Sequence, residues 1–377
     1  MTIHKLTVAL DSRSYSICIG SGLTQYDETG DGGDSLLIPR LRGKDGVIVT
    51  NETIAPLYLS RVRKWLAAAG YQGRPVILPD GEEYKNYTTL QSLYRELYEA
   101  GLQRNGFICA LGGGVIGDLA GFAAATYMRG IDLIQLPTTV LAQVDSAIGG
   151  KNGVNLEFGK NLIGSTYQPR VVISDVDFIE TLPEKELLSG LGEVVKYGLL
   201  AGDDFISFLE LNQTEIMERK SRSLAIMIHS CSRIKADYVE RDEFDLLGVR
   251  AALNLGHTVG HALEKMYGFQ KLPHGEAVSI GLVCALTLSV AMELLPESGF
   301  QRALQLISHY RLPAVVPEDA DIDQMIELMR RDKKVAAGSG LSMVLLRGLG
   351  DPYLEDNVDP VLLREVLIKC KQPQLNP

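Results

Sequence analysis

The stretch "ICALGGGVIGDLAGFAAAT" at residues 108–126 decides the fold. An apolar run ends at Leu111, glycines open a turn, and small residues then continue at helical spacing. Gly112, Gly114 and Gly117 match G-x-G-x-x-G in a strand–turn–helix setting, where backbone N–H groups at the helix start can approach a pyrophosphate. A tight βα turn that needs glycine only for its backbone angles is the other reading. Two details depart from the usual dinucleotide form. The motif follows the third candidate parallel strand, not the first, and no ribose-binding acid lies about twenty residues on. "LPDGEEYKN" (78–86) and "LPTT" (136–139) also sit at strand ends, where open α/β sheets bind ligands.

Outward from this stretch, "GVIVT" (46–50), "PVILP" (75–79), "FICAL" (107–111) and "DLIQLP" (132–137) are short apolar runs suited to a parallel sheet. Helical segments at residues 55–70 and 87–101 separate the first three, so the pattern is βαβ and doubly wound. "KLTVAL" and "YSICIG" form an antiparallel pair around "DSRS", and "TGDGGDS" (29–35) reads as a flexible surface loop. From Leu182 onward the segments 182–202, 221–240, 249–268 and 275–295 carry a 3.6-residue period. The expectation is an α/β, Rossmann-like domain over residues 1–181 and an all-α domain over 182–377.

The composition is 46 % hydrophobic with a formal charge of −10, enough for a large core and unfavourable for nucleic acid or anionic membranes. Cys18, Cys109, Cys231, Cys284 and Cys370 are scattered and never form C-x-x-C, as in a reduced cytoplasmic protein. The N-terminal residues lack the apolar centre of a signal peptide. The uncharged run 277–292 is short for a bilayer and reads as a buried helix.

In "NLGHTVGHALE" (254–264), two of the six histidines lie four residues apart. On a continuous helix Arg250, Asn254, His257, His261 and Glu264 share one stripe, which is costly unless each group is partnered. Histidines at i and i+4 can converge on one metal ion, although the Glu of H-E-x-x-H is missing. His274 opens the next helix, and Glu193 lies near Lys196. Two imidazoles and a carboxylate make a catalytic zinc set with open positions. The remaining cations stand in Gly-rich or polar contexts: Arg129, Lys151, Lys160, Lys196, Lys235, Arg250, Lys333 and Lys334. "DSAIGGKNGVNLEFGKNLIGSTYQP" (145–169) reads as a long loop whose Gly, Lys and Asn suit phosphate and hydroxyl binding.

Eight motifs together resemble the 3-dehydroquinate synthases of the sugar-phosphate cyclase family: "LPDGEEYKN", "LGGGVIGDLAGFAAATYMRG", "LPTTVLAQVDSAIGGKNGVN", "GKNLIGSTYQP", "SGLGEVVKYG", "LNLGHTVGHALE", "LPHGEAV" and "RDKKV". The resemblance runs from about residue 46 to 350. It implies conversion of 3-deoxy-D-arabino-heptulosonate 7-phosphate to 3-dehydroquinate and phosphate, with bound NAD and a divalent metal, zinc or cobalt. By matching positions, Glu193, His257 and His274 hold the metal. NAD contacts are implied for Asp80, Gly81, Glu82, Glu83, Tyr84 and Lys85, and for Gly114, Val115, Ile116, Gly117 and Asp118. Thr138, Thr139, Lys151, Lys160, Phe178, Ile179, Glu180 and Thr181 complete that set. Substrate contacts are implied for Arg129, Asp145, Lys151, Asn161, Lys196, Lys235, Arg250, Asn254, His261 and Lys333 or Lys334. His261, Lys151, Asn161, Arg250 and Asp245 are the implied catalytic groups. A cytoplasmic homodimer is also implied.

Three departures stand out. Asn152 replaces the family's usual Thr, and Thr166 its usual Phe. One extra residue near 245 puts Leu246 where an acid is usual, with Asp245 or Glu243 as the substitute. The competing readings are a polyol dehydrogenase of the glycerol dehydrogenase type, a sister cyclase acting on another sugar phosphate, and a non-catalytic NAD-binding protein.

Overall fold

The computed structural model describes residues 2–25, 37–157, 159–268, 271–333 and 340–374, with only the backbone of 332 and 333. The loop expected at 29–35, Lys334 and the Lys333 side chain lie outside the described residues. The chain forms two compact units: Met1–Pro183 with Arg219–Phe244, and Glu184–Glu218 with Asp245–Pro377. The first segment of the first unit ends at Pro183, and residues 219–244 return to that unit. The return of 219–244 to the first unit was not expected, because a 3.6-residue period marks a helix without saying which core it covers.

The first unit is built on a seven-stranded sheet in the order β1-β2-β9-β6-β5-β3-β4. Its strands are β1 (His4–Val8), β2 (Tyr15–Gly20), β3 (Asp45–Asn51), β4 (Gln72–Leu78), β5 (Phe107–Gly112), β6 (Asp132–Pro137) and β9 (Val171–Asp175). Only β1 runs antiparallel to its neighbour. Alternate residues bury on opposite faces. Val47, Val49, Ile108 and Ala110 pack with α2 (Tyr87–Glu99) and α3 (Gly114–Thr126), while Ile48, Cys109 and Leu111 pack with α1 (Ser60–Ala68). Burial on both faces explains why these strands read as continuous apolar runs. β3 connects to β4 on one side and β5 to β6 on the other. The carboxyl ends of β3 and β5 thus form the switch point of the sheet, the usual ligand position in open α/β folds. A glycine motif after the third parallel strand in sequence is accordingly at the right place in space.

The stretch read as a loop at 145–169 is instead largely a hairpin, β7 (Lys151–Leu156) and β8 (Gly159–Thr166). It lacks an alternating apolar signature because no residue of β8 is buried and glycines replace side chains where the strands touch. A Cβ on Gly164 would lie 2.2 Å from the Asn152 carbonyl oxygen. The Asn152 side chain donates to the carbonyls of Gly150 and Tyr167 at 2.7 and 3.0 Å, and it fills the space beside Gly121 of α3. Thr166 pairs with Lys151 at the open end.

The second unit holds α4 (Glu184–Ala201), α5 (Asp203–Leu211), α6 (Gln213–Met217), α8 (His257–Met266), α9 (His274–Ala291), α10 (Glu297–His309), α11 (Ile322–Lys333) and α12 (Pro360–Lys369). It also carries one hairpin, β10 (Met343–Gly348) with β11 (Asp351–Glu355), an addition to the helices expected. The run read as a buried helix is α9, and among the described residues it is the one helix long and apolar enough to cross a membrane. The remaining helix, α7 (Ser221–Arg241), belongs to the first unit. It packs against β1, β2 and the turn at 142–146, and it buries Leu224, Met227, Ile228, Cys231 and Val239.

Candidate active site

In the second unit, each proposed metal ligand stands beside a glycine at a helix crossing. A Cβ on Gly275 would lie 1.7 Å from the Ser189 carbonyl oxygen, and one on Gly192 would lie 2.3 Å from that of Gly275. A Cβ on Gly281 would lie 1.9 Å from the Gly256 oxygen. The backbones of α4, α9 and the turn before α8 therefore touch, and Glu193, His257 and His274 are brought together. Gly256, at φ +79°, also breaks the helix expected over 249–264. Val249–Asn254 is a separate tight turn, so Arg250 and Asn254 do not continue the α8 stripe. Arg250 is buried there and Asn254 exposed.

The ligand atoms of Glu193, His257 and His274 lie within 4.8 Å of one another. His257 Nε2 is 3.2 Å and His274 Nε2 3.3 Å from Glu193 Oε1. Donors about 2.1 Å from a tetrahedral centre sit about 3.4 Å apart, so this spacing suits a zinc-like ion. Glu193 is fully buried, and neither carboxylate oxygen has an aligned hydrogen bond among the described residues. Lys196 already gives this carboxylate one counter-charge, so the case for a metal ion rests on the two imidazole nitrogens that face Oε1. Burial pushes its carboxyl upward, but the Lys196 ammonium and the His257 imidazole outweigh this and hold it well below the usual carboxylate range. Burial lowers His257. Burial also lowers His274, yet Glu193 and Glu264 prevail and push it up to about 10. Lys196, expected at the substrate, is buried in an ion pair with Glu193. His261 stands one turn along α8, edge-on to His257 with ring centroids 5.3 Å apart.

In the first unit, several residues expected around NAD gather at the carboxyl edge of the sheet. Asn51 and Thr53 donate to Asp80 at 2.7 and 2.6 Å. Lys85 donates to Asp118 at 2.5 Å and to Asn161 at 2.6 Å. Asn155 donates to Glu82 at 2.8 Å, and Lys160 lies 3.9 Å from the same carboxylate. α3 starts at Gly114 with no side-chain cap among the described residues, and the buried hydroxyls of Thr138 and Ser146 have no hydrogen-bond partner there. This is a cradle for an anionic group with donors to spare. The Tyr58 hydroxyl ties Thr181 (2.5 Å) to the Phe178 carbonyl (3.2 Å). Lys235, on α7, donates to the carboxylate and carbonyl of Asp145, both at 2.8 Å. Arg129 and Lys151 are exposed. Asn161 holds a left-handed φ of +55°.

Of the two acids considered for the shifted position, Glu243 is engaged by the Arg13 guanidinium at 2.7 Å and by Gln168 at 3.1 Å. Asp245 is exposed, with φ +58°. Sequence reasoning missed Asn51, Thr53 and Asn155 as supports of this edge. The position of Asn51 directly after a predicted strand was the available signal.

The 3-dehydroquinate synthase N-terminal family model matches residues 75–189, and the C-terminal model matches residues 190–335. The chain is 46 % identical over 363 residues to the 3-dehydroquinate synthase of Shewanella piezotolerans, covering 96 % of this chain and 98 % of that one. It is 44 % identical over 365 residues to the enzyme of Pseudomonas entomophila, covering 97 % of each. Among solved structures, a 2-deoxy-scyllo-inosose synthase complexed with carbaglucose-6-phosphate, NAD+ and Co2+ superposes with a TM-score of 0.86 at 27 % identity. That match covers 98 % of this chain and 100 % of the other.

Proposed function

Because this chain belongs to the 3-dehydroquinate synthase family, we propose that it converts 3-deoxy-D-arabino-heptulosonate 7-phosphate to 3-dehydroquinate and phosphate, as a carbon–oxygen lyase dependent on NAD and a divalent metal. Bound NAD would supply a hydride acceptor and donor for a ring carbon, and a metal held by Glu193, His257 and His274 would polarise the oxygen there. Phosphate leaves by elimination in between, and the opened sugar closes by an aldol step.

The residues divide the work. In the second unit, Glu193, His257 and His274 hold the metal, His261 faces the substrate as a proton-handling group, and Arg250 and Asn254 bind its polar groups, with Lys333 or Lys334 as a further cation. In the first unit, Asp80, Lys85, Asp118, Thr138 and Thr139 hold NAD with the α3 N-terminus. There, Arg129, Lys151, Asn161 and Lys235 offer cations and amides for the phosphate and its neighbouring hydroxyls, so the departing anion is both oriented and stabilised. Asp145 keeps Lys235 in place for that task. Asp245 takes the acid role of the shifted position. We further place the enzyme in the cytoplasm as a homodimer.

The observation that carries this reading is the convergence of two imidazole nitrogens on a buried carboxylate oxygen at 3.2 and 3.3 Å, in a chain of this family. The test is to supply purified protein with the heptulosonate phosphate, trace NAD and zinc, and to follow phosphate and dehydroquinate. Catalytic release of both, lost on exhaustive chelation and recovered with zinc or cobalt, is expected. Accumulation of NADH in step with product would indicate a polyol dehydrogenase instead. Bound NAD and metal without turnover would indicate a binding protein.

A further inference from the structure

We infer that Glu264 is a positioning residue for the metal centre: its buried carboxylate accepts the Nδ1 proton of His274 and so turns the Nε2 lone pair toward Glu193. The inference rests on the proposed ligand set. His274 Nδ1 lies 3.2 Å from Glu264 Oε2, while Nε2, on the other side of the ring, lies 3.3 Å from Glu193 Oε1. A metal ion that binds Nε2 displaces the proton there; the neutral imidazole that results has one N–H and one lone pair, and the partner of one nitrogen decides the role of the other.

His257 is arranged in the same way by a different partner. Its Nδ1 faces the Leu255 carbonyl oxygen at 3.2 Å, and its Nε2 faces Glu193 Oε1. That partner is a backbone oxygen delivered by the turn at Gly256. His274 opens α9 behind Pro273, so its orientation depends on a carboxylate supplied by α8. Glu264 lies seven residues after His257 on that helix, two turns away on the same face. One helix therefore provides a ligand and also the group that orients a ligand on its neighbour. Glu264 is buried, with its side chain 6 % exposed, so the carboxylate meets the imidazole in a place of low dielectric where such a bond is strong. Outer partners of this kind typically change metal affinity about 10–100-fold when removed.

The test compares wild type, Glu264→Gln and Glu264→Asp, each stripped with a chelator and titrated with zinc against a competing dye. Melting is followed without metal, and the visible spectrum with cobalt. Expected for Glu264→Gln is a loss of about 10–100-fold in zinc affinity, with one ion per chain, a changed cobalt spectrum and a metal-free melting temperature close to wild type. Glu264→Asp, which keeps the charge, should recover part of the affinity. Unchanged affinity and spectrum in Glu264→Gln would overturn the proposal. So would a second ion per wild-type chain lost in that variant, because Glu264 would then be a ligand of a second site with His261 and His274, whose ligand atoms also lie within 4.8 Å. If wild type itself takes up no metal, the ligand set fails, and not the role of Glu264 alone.

Discussion

Glu193 and Lys196 sit one turn apart on α4, with side chains 1 % and 2 % exposed, and neither charge reaches water. Removing one member of such a pair leaves the other buried and unpaired. Glu193→Ala should therefore destabilise the metal-free protein by about 3–5 kcal/mol, measured by denaturant unfolding in chelator. Lys196→Met removes the ammonium but keeps the carboxylate, which then has a divalent cation as its remaining counter-charge. Added zinc should raise the stability of Lys196→Met and leave Glu193→Ala unmoved; equal responses in both would refute the assigned site. The residue types of this centre were legible from the sequence, because imidazoles and a carboxylate on apolar helices have few inexpensive explanations. The role of Glu264 was not legible, since it depends on which ring nitrogen faces which neighbour, and that follows from the crossing of two helices.

At the scale of elements, the glycines explain the site better than its ligands do. Gly275→Ala would put a Cβ inside the Ser189 carbonyl, so α4 and α9 must separate. Metal uptake should collapse although every ligand is intact, as read by zinc titration. Gly248→Ala is the control: it meets nothing within 4 Å and bears only the left-handed φ of +76°. It should lose about 1–2 kcal/mol and keep metal affinity. Contact between β1 and α7 gives a second expectation. Burial lowers His229, helped by His4 (ring centroids 5.4 Å apart) and by Arg233. A histidine whose folded pKa lies below its unfolded value contributes stability above about pH 6.5 and loses it as the solution is acidified toward the folded value. Melting between pH 7 and 5 should thus fall less steeply in His229→Gln than in wild type. The helices and buried strands were readable because periodicity and apolar runs mark them. The β7–β8 hairpin was not, because its glycines and the adjacent, exposed Leu162 and Ile163 break the alternation, and β9 passed unnoticed as five residues shortly after it.

For the molecule as a whole, the chain's return at 219–244 is the feature that sequence periodicity could not show. Residues 221–241 have the same helical spacing as their neighbours in the second half, yet their apolar face belongs to the sheet of the first unit. Leu224, Met227, Ile228, Cys231 and Val239 are all buried, and full burial of an aliphatic side chain is worth about 1.5–3 kcal/mol. Together they rival the whole margin of a typical domain, about 5–15 kcal/mol. A fragment ending at Pro183 therefore lacks one wall of its own core, although it contains the entire sheet and the glycine-rich turn. It should bind a hydrophobic dye, melt without a cooperative transition and fail to gain stability from NAD. Joining 219–244 to it through a short flexible linker should restore a sharp, NAD-sensitive transition, measured by calorimetry. Cooperative unfolding of the short fragment alone would mean that α7 decorates the first unit without completing it, and that Lys235 reaches Asp145 without the helix being needed for the fold.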